Sequence, residues 1–290
     1  MAVTVRAFAK INLTLEVLGR RADGYHELRS IYQTLAFHDR LRVEARPRGC
    51  EIESTHAELE RGPANLIHQA WRLLRLRGAK GAKVWVEKRI PLAAGLGGGS
   101  SDAAAMLLAL DRLYRLELGL PLLLELGARL GADVPLFLIG GTVLGVGRGS
   151  EVYPLPDLKP APVVLVFPGF GVRTPWAFGA LPNSLTGRPR THKILSFAAQ
   201  EASVYPELVN DLEPVVGKRY PVVPRIRGRL LELGARQARM TGSGPTLYGL
   251  YAGRAKAVAA ARALRRSGLQ ALATVTLARR ELRRRRFGSS

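Results

Sequence analysis

The 290-residue sequence predicts an α+β protein in two halves, and three observations carry that expectation. Ile11, Leu13, Leu15 and Val17 alternate with Asn12, Thr14 and Glu16, the period of a half-buried strand. The run Gly95-Leu-Gly-Gly-Gly-Ser-Ser101 links a β-rich segment to an Ala/Leu/Met helix. Beyond a proline-dense stretch (Pro154, Pro156, Pro160, Pro162) the elements fall in the order β-α-β-β-α-β, which is ferredoxin-like. That stretch is the expected boundary between a first domain, 1–158, and a second, 159–290.

Each element has a local reason. The first strand breaks at Arg21-Ala-Asp-Gly24, a turn signal, and Tyr25-His26 follow. Ile31 to Leu35 and Leu41 to Ala45 read as two further strands, and Pro47-Arg-Gly49 turns the chain into Glu51 to Ser54 as a hairpin. Asn65 opens a helix with Ile67, Ala70, Trp71 and Leu74 on one face and Gly78 past its end. Lys83 to Lys88 is a strand that delivers the chain to the glycine run, and Ala103 to Leu118 is the helix after it. A second helix, Leu122 to Leu130, precedes Gly131-Ala-Asp-Val-Pro135. Gly140 to Gly147 is too rich in glycine for a helix and reads as a strand packed against other backbone. In the second half the strands are Val163 to Phe167, Ala238 to Thr241, Thr246 to Tyr251 and Ala271 to Leu277. A helical region fills the gap before the second of these, and Ala255 to Ser267 is a helix stopped by Gly268.

Composition bounds the function. An apolar share of 47% and a charged share of 23% are those of a folded globular chain. The net charge of +21 favours acidic partners such as nucleotides or phosphorylated metabolites, although only eight of the 44 basic residues are Lys, as GC-rich coding also produces. Six Arg crowd into Arg279 to Arg286, which reads as a solvated terminal helix or a frayed end. Basic residues spread along the chain without an aromatic-rich motif, so no specific nucleic-acid partner is expected. Cys50 is the only cysteine, which excludes an intrachain disulfide and a cysteine-rich metal site. No run reaches the length of a membrane span, and no secretory leader is recognisable, so a cytoplasmic protein is expected.

The glycine run carries the chemistry. Few side chains shield its backbone N–H groups, and a helix start follows, which together suit a phosphate. Its spacing lacks the Lys of the G-x-x-x-x-G-K-[ST] loop and the last glycine of G-x-G-x-x-G. Lys10, Asn12, Asp133 and Gly242-Ser-Gly244 taken singly have ordinary readings: surface charge, strand polar, helix cap and hairpin turn.

Their order is what adds information. Ala9-Lys-Ile-Asn-Leu13, Asp23-Gly-Tyr-His26, Asn65-Leu66, Pro91 to Ser101, Gly131-Ala-Asp-Val-Pro135 and Met240-Thr-Gly-Ser-Gly244 follow one another as in the GHMP kinase superfamily, which the chain resembles from Ala9 to about Leu277. The resemblance implies a GHMP kinase fold, with a ribosomal protein S5 domain 2-like first half and a ferredoxin-like second half. It implies ATP and Mg²⁺ as cofactors, and within the superfamily it points to the branch acting on a cytidine diphosphate-linked methylerythritol of the non-mevalonate isoprenoid route. Asp133 would be the general base and Lys10 its partner. Asn65, Leu66, Pro91, Gly95, Leu96, Gly97, Gly98, Gly99, Ser100 and Ser101 would hold ATP, with Ser100 or Ser101 meeting the metal. Tyr25 and Phe178 would clamp the cytosine and His26 read its edge, with Asn12, Asp133, Thr174, Pro175, Thr241, Gly242 and Ser243 completing the acceptor site. Asp102 could cap its helix, turn away or reach Mg²⁺. A monomer or weak homodimer acting on a small molecule, without a membrane, is the expected context.

Overall fold

The computed structural model of the chain describes residues 1–182 and 208–287. Its first half is a seven-stranded sheet built on two long antiparallel strands, β1 (Ala2–Arg20) and β2 (His26–Arg46). The two strands expected at 31–35 and 41–45 are one continuous strand. Asp39, between them, is fully buried, and its Oδ1 accepts the backbone N–H groups of Arg89 (2.6 Å) and Ile90 (2.7 Å).

β3 (Cys50–Ser54) does not form the expected hairpin with β2. It pairs in parallel with β4 (Gly81–Glu87), which lies between β3 and β2. The crossover between these parallel strands is α1 (Leu66–Arg75), as a parallel pair requires. Asn65 caps α1 and Ile67, Ala70, Trp71 and Leu74 are its buried face, as the spacing predicted. β5 (Thr142–Gly147) pairs with the other part of β2, and β6 (Glu151–Pro154) pairs with β5.

The sheet packs against α1 and three further helices, α2 (Gly98–Tyr114), α3 (Leu120–Leu130) and α4 (Val134–Ile139). The core between them includes Val5, Val84, Met106, Leu110 and Val134, each 0% exposed. α2 begins five residues earlier than its composition suggests, because Gly97 takes a left-handed turn (φ +71°) that aims the next glycines into helix.

The second half has four antiparallel strands in the order β11-β7-β10-β9: β7 (Pro162–Phe167), β9 (Gln237–Met240), β10 (Leu247–Leu250) and β11 (Gln270–Val275). This is the ferredoxin-like arrangement expected from the element order. Between β7 and β9 lie α5 (Thr174–Gly179), α6 (Glu213–Arg219) and α7 (Val222–Glu232), while α8 (Arg254–Arg266) precedes β11. The rest of the helical region expected before β9 falls at 183–207, outside the described residues.

Two segments beyond residue 158 join the first half. β8 (Val209–Asn210) pairs in parallel with β1. The arginine-rich tail forms α9 (Arg279–Arg286), and Phe287 after it bridges to Val5. The expected solvated end is therefore partly buried. Arg286 is only 9% exposed, whereas the Arg284 side chain stays 75% exposed. Among the described residues no helix is long and apolar enough to cross a membrane.

Candidate active site

β1 presents Lys10 and Asn12 where the two halves meet. Lys10 is 3% exposed, and its Nζ donates to Asn12 Oδ1 at 2.6 Å and lies 3.8 Å from Asp133 Oδ2. Burial lowers its pKa from the ordinary lysine value, and the Asp133 charge opposes that shift. Asn12 is held from several sides. Its Nδ2 donates to Ser30 Oγ (2.7 Å), its N–H to Thr241 Oγ1 (3.0 Å), and its carbonyl accepts from Tyr248 OH (2.8 Å).

Asp133 occupies the N-cap position of α4 but makes no capping bond with its side chain. The ordinary reading of this residue as a helix cap thus fails on geometry. Its carboxylate, 32% exposed, faces Lys10 instead.

The glycine loop sits against both. Lys10 N–H donates to Leu96 O (3.1 Å), and a Cβ on Gly97 would fall 2.6 Å from Phe137 Cζ of α4. A Cβ on Gly95 (φ +78°) would collide with the carbonyl oxygen of Thr241. Leu96 is 1% exposed and belongs to the core. Only backbone at that position can meet a ligand.

The two serines divide. Ser101 N–H donates to Gly97 O (2.9 Å) and its hydroxyl to Phe8 O (2.7 Å), so both of its protons are used inside the protein while the hydroxyl oxygen keeps its lone pairs. The amides of Gly98, Gly99 and Ser100 precede the first bonded turn of α2 and have no helical acceptor. These three N–H groups, with the Ser100 hydroxyl, are the donors this loop can offer to an anion.

Asp102 neither caps α2 nor turns outward. Lys88 Nζ donates to both Asp102 Oδ2 and Asp39 Oδ2 at 2.6 Å, all three groups being buried beneath the loop. One ammonium neutralises one carboxylate. Asp39 has two backbone donors besides, whereas Asp102 Oδ1 has none, so Asp102 is the partner that keeps its proton. Burial pushes its carboxyl up to about 8. The sequence reading missed Asp39 and Lys88, because neither lies near Asp102 along the chain.

The expected base clamp lines a separate cavity of about 680 Å³, with Tyr25, His26, Thr174, Pro175 and Phe178 on its walls. His26 stacks on Phe178 (centroids 5.1 Å apart, 29° between planes), and the Arg148 guanidinium lies 3.5 Å over the Tyr25 ring. Burial and the nearby Arg20 charge lower the His26 pKa, so the ring is neutral at pH 7. Thr174 Oγ1 lies 2.8 Å from Ser243 Oγ, which connects this wall to the 240–244 loop. Asn210 fixes the same loop, donating to Met240 O (2.8 Å) and Gly242 O (2.9 Å). Asn65, expected beside the nucleotide, also has its side chain committed within the protein. It accepts from Ile67 N–H at 2.8 Å and donates to Glu60 O.

Among the described residues no group of three or more His, Cys, Asp or Glu could hold a metal ion. With Asp102 held by Lys88, a divalent ion would rest on nucleotide phosphates and the Ser100 or Ser101 hydroxyl. That donor set suits Mg²⁺, which keeps waters and phosphate oxygens as ligands.

Comparison with known proteins agrees with this geometry. The family models described as GHMP kinases N terminal domain and GHMP kinases C terminal match residues 65–141 and 185–270. The chain is 43% identical over 284 residues to 4-diphosphocytidyl-2-C-methyl-D-erythritol kinase of Pelotomaculum thermopropionicum, covering 95% of this chain and 98% of the relative. The corresponding kinase of Acetivibrio thermocellus is 36% identical over 281 residues, covering 95% and 99%. A crystal structure of 4-(cytidine 5'-diphospho)-2C-methyl-D-erythritol kinase superposes with a TM-score of 0.81 at 39% identity, covering 94% of this chain and 98% of that one. Homoserine kinase from Cytophaga hutchinsonii, with a TM-score of 0.72 at 18% identity and coverage of 96% and 95%, shares the fold. The chain belongs to the GHMP kinases, in the branch of the 4-diphosphocytidyl-2-C-methyl-D-erythritol kinases.

Proposed function

We propose that this kinase transfers the γ-phosphoryl group of ATP to the 2-hydroxyl of 4-diphosphocytidyl-2-C-methyl-D-erythritol, with Asp133 as general base. The observation that carries the reading is the Asp133 carboxylate, free of any capping bond and facing the buried Lys10 ammonium beside the glycine loop. The acceptor hydroxyl gives its proton to Asp133 as its oxygen attacks the γ-phosphorus. Lys10, 3.8 Å from that carboxylate, steadies the oxygen that is gaining charge. The amides of Gly98, Gly99 and Ser100 hold phosphate oxygens, which is most of what phosphoryl transfer asks of a protein. Mg²⁺, when bound with ATP, supplies charge neutralisation for the phosphates.

The far end of the acceptor is read by the aromatic cavity. Asn12 and Val17 lie on one strand about 17 Å apart at the usual rise per residue, the scale of a nucleoside diphosphate carrying a short polyol. Phe178 and Tyr25 offer ring faces to cytosine, and neutral His26 offers one donor and one acceptor to its edge. Thr174, Pro175 and Ser243 border this end, and Thr241 and Gly242 border the hydroxyl end. The context proposed for this reaction is a monomer or weak homodimer in the cytoplasm.

The test has two arms. Purified protein with ATP, Mg²⁺ and the acceptor should release ADP, and Asp133→Asn should lose about 10³-fold in kcat while keeping its melting temperature. CDP should compete with the acceptor, and Phe178→Ala should weaken that competition by about tenfold. Equal turnover by Asp133→Asn and the parent sinks the assignment of the base; absence of any CDP effect sinks the nucleobase assignment.

A further inference from the structure

The tail that carries six arginines reaches the short helix that begins at Asp133. All six residues of α4 are buried, and a helix this short leaves most of its carbonyls without internal donors. Arg286 answers that need. Its Nη2 donates to Phe137 O (2.8 Å) and its Nη1 to Leu138 O (3.3 Å). Arg279 adds a bond from Nε to Gly140 O (3.1 Å), just past the end of α4. Leu282 seals the joint: a Cβ on Gly140 would lie 2.7 Å from its Cδ1.

The tail is itself fastened to the first half of the molecule. Leu277 N–H donates to Thr34 O (2.9 Å), Gln33 Nε2 donates to Leu277 O (2.9 Å), and Arg112 lies 4.6 Å over the Phe287 ring. Burial lowers the Arg286 pKa to about 10, so the guanidinium stays charged at pH 7. It is a placed donor, and its two nitrogens meet two consecutive carbonyls, which a Lys ammonium does less well.

α4 touches the site at two points. Asp133 is its first boundary residue, and the Phe137 ring fills the space beside Gly97 that a side chain there would need. A shift of α4 along its axis would therefore move the carboxylate and the phosphate loop together.

We propose that α9 acts as a strap on α4, with Arg286 as a positioning residue that sets where Asp133 and the glycine loop stand. The inference rests on Asp133 being the base. A misplacement on the order of 1 Å costs about 10²-fold in a reaction governed by positioning. Arg286→Met should accordingly lower kcat by at least about tenfold, with KM for the cytidyl acceptor within about twofold of the parent. Added guanidinium ion at millimolar concentration should restore part of kcat in that variant. Arg286→Lys, which keeps the buried charge, should fold and still show a reduced kcat.

Leu264→Ala, in the core of the other half, supplies the comparison of a destabilised enzyme with an intact strap. Arg286→Met or Arg286→Lys at parental kcat overturns the inference. A kcat loss no larger than that of Leu264→Ala at equal loss of melting temperature, without guanidinium rescue, overturns it equally. If Asp133→Asn is inactive while the Arg286 variants are not, this inference alone falls. If Asp133→Asn is fully active, the base it rests on falls with it.

Discussion

The Lys10 ammonium approaches the Asp133 carboxylate to 3.8 Å, close enough for attraction and beyond hydrogen-bond reach. Its short bond goes to Asn12 Oδ1 instead, at 2.6 Å. The carboxylate thus faces the ammonium without being bonded to it, and its lone pairs remain open to a hydroxyl proton.

Lys10→Met should therefore cut kcat by about 10²-fold, the usual cost of losing one preorganised charge from a reacting site. The variant also tests the pH profile. Burial places the Lys10 pKa below the ordinary lysine value. Activity of the parent should decline as pH rises through that lowered value and the ammonium is lost. The residual activity of Lys10→Met should lack this alkaline limb; a limb unchanged by the substitution assigns it to another group.

The Asp39–Lys88–Asp102 cluster makes stability depend on pH. Folded Asp102 holds its proton up to about 8, against an ordinary carboxyl value of 3.8. The folded state therefore binds more protons across that window, and stability falls as pH climbs through it. Asp102→Asn imitates the protonated acid. Its melting temperature at pH 6 should stay within about 2 °C of the parent, and its decline from pH 6 to pH 9 should be flatter. A parental slope in thermal melts of the variant removes the assignment of the proton to Asp102.

Two glycines of one loop should respond differently to the same methyl group. Gly95→Ala meets the Thr241 carbonyl and a φ of +78°, the latter alone costing about 1–2 kcal/mol, so melting temperature and ATP turnover should both fall. Around Gly99 no protein atom lies within 4 Å of an added Cβ. Its want of a side chain has a reason only if phosphate approaches there. Gly99→Ala should keep the parental melting temperature and raise KM for ATP about tenfold, a loss of about 1.4 kcal/mol in binding. An unchanged KM for ATP would move the phosphates away from Gly99.

Much of this was legible in the chain because it is local. The alternation at Ile11 to Val17, the cap at Asn65 and the glycine run each declare themselves within a few residues. The β-α-β-β-α-β order survived intact because periodicity records it segment by segment. What escaped was long-range. β3 pairs with β4 far along the chain, Cys50 with Ala82, so the nearer turn at Pro47-Arg-Gly49 suggests the wrong partner. Nothing beside Asp39 in the chain discloses the Arg89 and Ile90 amides that donate to it and permit its burial. The internal bonds of the Ser101 hydroxyl and of Arg286 escaped in the same way. A residue type known for solvent or ligand contact was committed to a distant carbonyl, Phe8 O in one case and Phe137 O in the other.

The outer margin of β1 has a consequence of its own. β8 pairs with only Thr14 and Leu15, and a long strand margin left open is a template for pairing with another chain. Here three further amides are taken one at a time by unrelated segments. Lys10 donates to Leu96 O, Asn12 to Thr241 Oγ1, and Val17 to Asp211 Oδ2 at 2.9 Å. Three protons on one strand therefore record three separate dockings: the glycine loop, the 240–244 turn and the chain after β8. Their hydrogen-exchange rates form a readout, resolved segment by segment, of how the site is assembled. The strand that carries Lys10 also carries the means of watching its surroundings close around it.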